Sequence, residues 1–205
     1  LIMKKKTKKE VYDRYLYENK YWSKGCNYVL GIDEAGRGSW AGPISVAGVV
    51  LPVGYKNDEI NDSKLLSAAK RQKLFDVIIK DAVWYQITFV PAVDVDKYNP
   101  KQATINGMKK IIEKCNPKPD VALIDAEKIQ NCKIKTESII KGDQKSISIA
   151  AASILAKVSR DLLMCEYDKK YPEYEFAKHK GYGTLLHLKK IRKYGPIEKF
   201  HRFSY

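Results

Sequence analysis

Histidine is scarce, with three in 205 residues, and the four cysteines (Cys26, Cys115, Cys132 and Cys165) show no C-x-x-C pair and no regular spacing. That shortage argues against a zinc site, which draws on nitrogen and sulfur ligands, and makes reduced, buried thiols the expectation. Long apolar runs are missing too. The longest, Ile44 to Val53, falls well short of the about 20 residues a helix needs to span a bilayer. Lys4 to Lys6 imitate the start of a secretory signal, but the polar and charged stretch Thr7 to Tyr12 follows them, so no apolar core of a signal peptide exists there. These absences point to a cytoplasmic protein with no membrane partner.

Acids are outnumbered, 24 against 38 Lys and Arg, for a net charge of +14. The excess is uneven: residues 1–24 carry +5 and residues 166–205 another +5, while the middle holds most of the carboxylates. Basic ends favour polyanions, nucleic acid first and an anionic membrane second. Charge alone leaves open a merely soluble basic protein. At 44% hydrophobic the chain has enough apolar residues to fold, and its length suits one sizeable core better than two.

Residues 1–24 alternate Lys, Tyr and acids and read as a helix or arm, with Tyr12, Tyr15, Tyr17 and Tyr21 folding it onto the core. Strands are expected at Tyr28 to Asp33, Ile44 to Leu51, Trp84 to Val90 and Val121 to Asp125, with a weaker one at Lys133 to Ile140. Helices are expected from Ser67 to Val83, Ala103 to Cys115, Ile147 to Leu163 and Leu185 to Tyr194. The third has the clearest apolar stripe, through Ile147, Ala150, Ala151, Ile154, Leu155, Val158 and Leu162. This order gives an α/β fold: a mixed sheet with helices and a helical tail. The expected division is a basic arm (1–27), a catalytic sheet domain (28–165) and a basic helical extension (166–205).

Two of these strands end in acids, Asp33-Glu34 and Asp125, and Asp143 stands just before the best helix. Ligands of α/β sheets gather at strand carboxyl ends, so the three segments can converge. Hard divalent ions want several oxygen ligands, and two of them can clamp a phosphodiester. Taken singly, each acid would more often cap a helix or sit in solvent. Together, with Gly36-Arg37-Gly38 and Gly142 beside them, they suit a metal-dependent phosphodiesterase or phosphotransferase.

The segment Gly31-Ile-Asp-Glu-Ala-Gly-Arg-Gly-Ser-Trp-Ala-Gly-Pro43 resembles the opening motif of the ribonuclease HII family. The resemblance continues in Asn61-Asp-Ser-Lys-Leu-Leu-Ser67, Leu123-Ile-Asp-Ala126, Lys141-Gly-Asp-Gln-Lys-Ser146, Ser148 to Asp161 and Lys180-Gly-Tyr-Gly-Thr184, and in a tail with His187, Gly195-Pro196 and His201-Arg202. It implies an RNase H-like mixed sheet with a helical C-terminal extension. It also implies an endonuclease that hydrolyses the RNA strand of RNA–DNA hybrids, leaves 5′-phosphate ends, and cuts 5′ of single ribonucleotides in duplex DNA. Carried over by motif, Asp33, Glu34, Asp125 and Asp143 hold two Mn²⁺ or Mg²⁺ ions. Gly36, Arg37 and Gly38 line the groove at the 2′-hydroxyl, the group by which RNA differs from DNA, and Tyr182 packs on the next sugar. Ser39 and Trp40 depart from the usual Pro and Leu. Asp143 as fourth acid, and about thirty residues before the first strand, favour type HII over the sibling type HIII, whose fourth acid is usually Glu.

Lys64 and Lys145 are candidate phosphate contacts. Asp161 is read as a buried acid pairing with Arg or capping a loop rather than as a further metal ligand. His187 and His201 are read as packing or backbone-bonding residues, not proton shuttles. The alternatives weighed are a catalytically silent nucleic-acid binder, which would do better without the acids, and a DNA-directed nuclease of the same fold. A monomer acting on nucleic acid is expected.

Overall fold

The computed structural model describes residues 12–204. The expected Lys4–Lys6 start of the basic arm lies outside them. Five strands form one mixed sheet in the order β3-β2-β1-β4-β5, with β1 Val29–Ala35, β2 Ile44–Val50, β3 Trp84–Val90, β4 Val121–Asp125 and β5 Lys135–Ile139. β1, β4 and β5 run parallel, and β2 and β3 are antiparallel neighbours. The helices are α1 Leu16–Trp22, α2 Ala68–Asp81, α3 Ala92–Lys114, α4 Gly142–Lys145, α5 Ile147–Lys170, α6 Phe176–His179 and α7 Leu185–Tyr194.

The sheet is covered on both faces, which is why its central strands read as unbroken apolar runs. On one face Leu30, Ile32, Val46 and Ile124 pack against Met108, Ile111 and Ile112 of α3. On the other, Ala47 and Val49 pack against Ile154, Leu155 and Val158 of α5, with Leu74 and Ile78 of α2 beside them. Gly31 lets β1 and α5 touch: a Cβ there would collide with the backbone of Ser148. All four cysteines are free thiols, and no described helix is long and apolar enough to cross a membrane.

Two helices differ from expectation. α3 begins at Ala92, eleven residues before the expected start at Ala103, and contains a break at Asn99 (φ 65°). Asn99 Oδ1 accepts the Gln102 N–H at 3.0 Å, so Asn99-Pro100 is a capped start for the second half. α5 runs past Leu163 to Lys170 and crosses 165/166 unbroken before Pro172 ends it. From residue 12 on, the arm packs on the core as expected: Tyr21 and Glu18 are buried. Glu18 accepts from the Ser146 hydroxyl at 2.5 Å and the Ser148 N–H at 2.9 Å, at the N-terminus of α5.

Candidate active site

Register brings the strand-end acids together. Ile32 of β1 pairs with Ile124 of β4, so Asp33 and Asp125 follow side by side on adjacent parallel strands. Asp125 in turn pairs with Ile139 of β5, and the chain turns there into α4, which carries Asp143. The Gly142 N–H donates to Asp125 Oδ1 at 2.7 Å, tying the second acid to the turn that bears the third. Glu34 is set apart by strand alternation. Leu30 and Ile32 face α3 and Gly31 faces α5, so Asp33 belongs to the α5 side and Glu34 to the α3 side. There Arg37 bridges Glu34 at 3.0 Å and the buried Glu127 at 2.9 Å.

Burial and mutual repulsion dominate the electrostatics. Burial, then the charges of Glu34 and Asp125, push the Asp33 carboxyl well above its ordinary range. Burial raises Glu34 to about 7 against the opposing pull of Arg37. Burial and the nearby Asp62 and Asp125 raise Asp143 to about 6. Lys64 Nζ, 3.5 Å from Asp143 Oδ2, is a well-exposed counter-charge at the rim.

A hard cation fits this donor set. Glu34 Oε2 is buried without a hydrogen-bond partner, a condition costing about 1–3 kcal/mol unless something binds it. Asp33 is 6% exposed and Asp143 5%, so both are nearly shut off from water. Among the described residues, no three acid, histidine or cysteine side chains stand ready around one point; the carboxylates are close enough to repel without forming a closed cage.

A cavity of about 310 Å³ opens on Asp33 and Glu34 and is bordered by Gly36, Arg37, Lys64, Lys157 and Tyr182. A larger one, about 480 Å³, lies between α3 and the loop before β5, lined by Cys115 and Cys132, and contains none of the expected site residues. Size does not locate the chemistry here; the acids do. Lys145 does not border the smaller cavity; its ammonium lies 4.8 Å from the Tyr12 ring centre. Asp161 is partly exposed and pairs with Lys157 at 2.7 Å, not with an arginine as expected, because it points off the buried stripe of α5.

Two buried guanidiniums hold the Gly36-Arg37-Gly38 turn. Arg202 donates to the carbonyls of Gly36 (2.9 Å), Arg37 (2.8 Å) and Gly42 (2.7 Å). Arg160 donates to the carbonyls of Pro43 (2.9 Å) and Lys180 (2.9 Å) and to Ser39 Oγ (2.8 Å). Ser39, the departure from the usual Pro, is fully buried and donates to the Gly36 carbonyl at 2.9 Å. Gly36 has φ +88°, and a Cβ there would strike Arg160, so only glycine suits the position. The turn then meets the tail through the Ser39–Tyr182 bridge, and Tyr182 lies with its ring centre 5.2 Å from the Arg160 guanidinium.

Sequence reasoning missed Asp62, Glu127, Lys157, Arg160 and Arg202 as parts of this region. Asp62, Lys157, Arg160 and Arg202 all lie inside motifs of the family resemblance, so a signal existed. Glu127 carried none beyond a charge next to Leu123-Ile-Asp-Ala126.

Known proteins agree with this architecture. Residues 30–205 match the family model described as Ribonuclease HII. The Ribonuclease HII of Caldanaerobacter subterraneus subsp. tengcongensis is 48% identical over 197 residues, covering 96% of this chain and 81% of the relative. Among solved structures, the RNase HII in the PCNA:RNase HII complex from Archaeoglobus fulgidus aligns with a TM-score of 0.73 at 25% identity, over 87% of this chain and 95% of that one. Bst-RNase HIII in complex with Mn²⁺ shares the fold, with a TM-score of 0.66 at 16% identity over 88% of this chain and 67% of that one. The chain therefore belongs to the ribonuclease HII family and is a ribonuclease H, a metal-dependent endonuclease acting on RNA–DNA.

Proposed function

We propose that this ribonuclease H cuts the RNA strand of hybrids and also cuts 5′ of single ribonucleotides in duplex DNA, with Asp33, Glu34, Asp125 and Asp143 holding two Mn²⁺ or Mg²⁺ ions. Such ions, when bound, neutralise phosphodiester oxygens and lower the pKa of a bound water. The residues do the rest. Asp33 and Asp125 present their oxygens from adjoining strands and Asp143 from α4 beside them, and Glu34 brings a buried oxygen that has no other partner. Lys64 steadies a phosphate at the rim. Gly36 and Gly38 let the backbone approach a ribose, Arg37 orients Glu34, and Tyr182 packs on the neighbouring sugar. Lys145 flanks the duplex farther out, stacked on Tyr12. The arm (1–27), sheet domain (28–165) and extension (166–205) then have separate tasks: bracing, chemistry, and supply of Tyr182. The enzyme works as a monomer in the cytoplasm, where its four free thiols stay reduced.

The observation that carries this reading is a shared cavity: Tyr182, Gly36 and Arg37 border the same space as Asp33 and Glu34. A group that reads ribose there stands beside the acids. Tyr182→Ala is expected to weaken cleavage at a lone ribonucleotide more than cleavage inside a long RNA tract, because a uniform hybrid has no RNA–DNA junction. Equal losses on the two substrates would reduce Tyr182 to packing.

Binding should also follow salt steeply. With roughly five phosphate contacts, log affinity against log salt has an expected slope of about −4 to −5. A slope near zero in a titration of substrate affinity would remove the groove from the account.

A further inference from the structure

All three histidines of the chain meet in one buried cluster behind Tyr182. His187 stacks on His179 with ring centres 4.3 Å apart, and its Nε2 lies 3.1 Å from His201 Nε2. Each ring also meets backbone. The Gly181 N–H donates to His179 Nδ1 at 3.2 Å, and the Ile197 N–H donates to His201 Nδ1 at 2.7 Å. His179 Nε2 faces the Tyr174 carbonyl at 2.9 Å, and His187 Nδ1 faces the Tyr182 carbonyl at 3.0 Å.

These contacts admit one arrangement of protons. An amide N–H only donates, so His179 Nδ1 and His201 Nδ1 must both offer lone pairs. A neutral imidazole has a single N–H, which then sits on Nε2 in both rings. His179 donates it to Tyr174. His201 donates it to His187 Nε2, which must accept. His187 is left with its proton on Nδ1 and gives it to the Tyr182 carbonyl. A further proton on any ring would set donor against donor, and burial independently holds all three below the ordinary histidine range, His187 at about 4. Charged groups near the cluster are Glu175, Asp168 and Lys190, all acting on His179. Around His187 and His201 the titratable neighbours are each other, His179 and the Tyr174 ring. The Arg202 guanidinium turns away, to Gly36 and Gly42.

We infer that His187 is a positioning residue for Tyr182: His201 and His187 form a one-way chain of hydrogen bonds to the Tyr182 carbonyl, with His179 stacked on His187, and together they fix the Tyr182 backbone and so aim its ring at the cavity. This rests on the ribose-contact reading of Tyr182. The Tyr182 N–H is held as well, by the His179 carbonyl at 2.9 Å, so the residue is gripped from both sides by the same cluster. None of the three rings touches the acids or borders the cavity. They act through Tyr182.

The test begins with the unaltered protein. In a long-range ¹H–¹⁵N spectrum at about pH 5.5, imidazoles with the reference pKa of about 6.5 would be roughly nine-tenths charged. Here His187 is expected neutral with its proton on Nδ1, and His179 and His201 neutral with theirs on Nε2. Any other tautomer set, or a charged His187, overturns the inference and leaves the ribose reading untouched. Kinetics supply the second arm. His187→Phe keeps the ring but loses both hydrogen bonds, whereas His187→Asn keeps a donor near the Nδ1 position. The phenylalanine variant is expected to raise KM for a lone ribonucleotide roughly tenfold, the scale of one lost hydrogen bond, with kcat on a long RNA tract kept within about threefold. Asparagine is expected to restore most of that loss. A phenylalanine variant with the parent's KM overturns the positioning role. Equal losses for Tyr182→Ala on both substrates would instead overturn the ribose reading and take this role with it. Should His187→Phe not fold, the tautomers of the parent decide the matter.

Discussion

Asp33→Asn is expected to abolish cleavage, by roughly 10³-fold or more, while leaving the metal-free protein as stable as the parent or more so. A metal's charge stabilisation is worth several kcal/mol, and each 1.36 kcal/mol is tenfold in rate. The stability half follows from burial. In the native chain the Asp33 carboxyl titrates well above its ordinary value, through burial first and then its acidic neighbours. Between the unfolded pKa near 3.9 and the raised native one, the native state holds a proton that the unfolded state has lost. Stability of the metal-free parent therefore falls as pH rises through that window. Asparagine carries no charge at any pH and can still accept the Glu34 N–H that Asp33 Oδ1 accepts at 2.7 Å. In chelator, the gain in Tm of the variant over the parent should be smallest near about pH 4 and grow towards about pH 8. Added Mn²⁺ should raise the parent's Tm and move the variant's much less, because ligand binding to the native state is what stabilises it. A variant clearly less stable in chelator, yet responding fully to Mn²⁺, would make Asp33 structural.

Arg160→Met is expected to be the most destabilising single change near the site. The arginine is completely buried. It donates to the carbonyls of Pro43, Lys180 and Ala41 and to the Ser39 hydroxyl, joining β2, α5 and the tail at one point. Methionine fills much of the space and satisfies none of these acceptors. Relief from desolvating a cation offsets part of the loss, since burial already pulls the guanidinium pKa down. The net cost is about 3–5 kcal/mol, from several buried acceptors left unsatisfied at about 1–3 kcal/mol each, less that relief. At about 2–4 °C per kcal/mol for a domain of this size, Tm should fall by roughly 6–20 °C. Lone-ribonucleotide cleavage should fall further than the unfolded fraction explains, because the Gly36–Gly38 turn and Tyr182 lose their common anchor. A Tm within about 2 °C of the parent would show that the carbonyls find water instead.

The contrast between these residues marks how far the sequence is legible. Strands β2, β3 and β4 agree with expectation to within a residue: β2 and β4, buried on both faces, leave continuous apolar runs, and the edge strand β3 is marked by its aromatic and β-branched residues before Pro91. The first half of α3 was invisible: Ala92 to Tyr98 alternates acids with apolar residues in a strand-like rhythm, and only contact with the sheet makes it helical. Asp33 and Asp125 could be read as strand-end acids, and Asp143 as an acid just before the best helix, because position along an element is a local property. The separation of Glu34 from Asp33 follows from alternation and was equally within reach. The motifs contain Arg160 and Arg202 but do not give their partners. Their partners lie 117 and 166 residues away, at Pro43 and Gly36, and nothing local distinguishes a buried guanidinium from a solvated one. The histidine cluster is hidden for the same reason, since three rings spread over α6, α7 and the tail meet only in the folded chain.

One cleavage experiment bears most directly on the central claim. A DNA duplex carrying one ribonucleotide, the same duplex in all-DNA form and a long RNA–DNA hybrid are each incubated with the enzyme, in Mn²⁺, in Mg²⁺ and in chelator, and the cut sites mapped. The account predicts cutting on the 5′ side of the ribonucleotide and throughout the hybrid's RNA strand, in either metal, with no cutting of all-DNA duplex and none in chelator. Cutting of the all-DNA duplex at a comparable rate, or cleavage that persists in chelator, would contradict it.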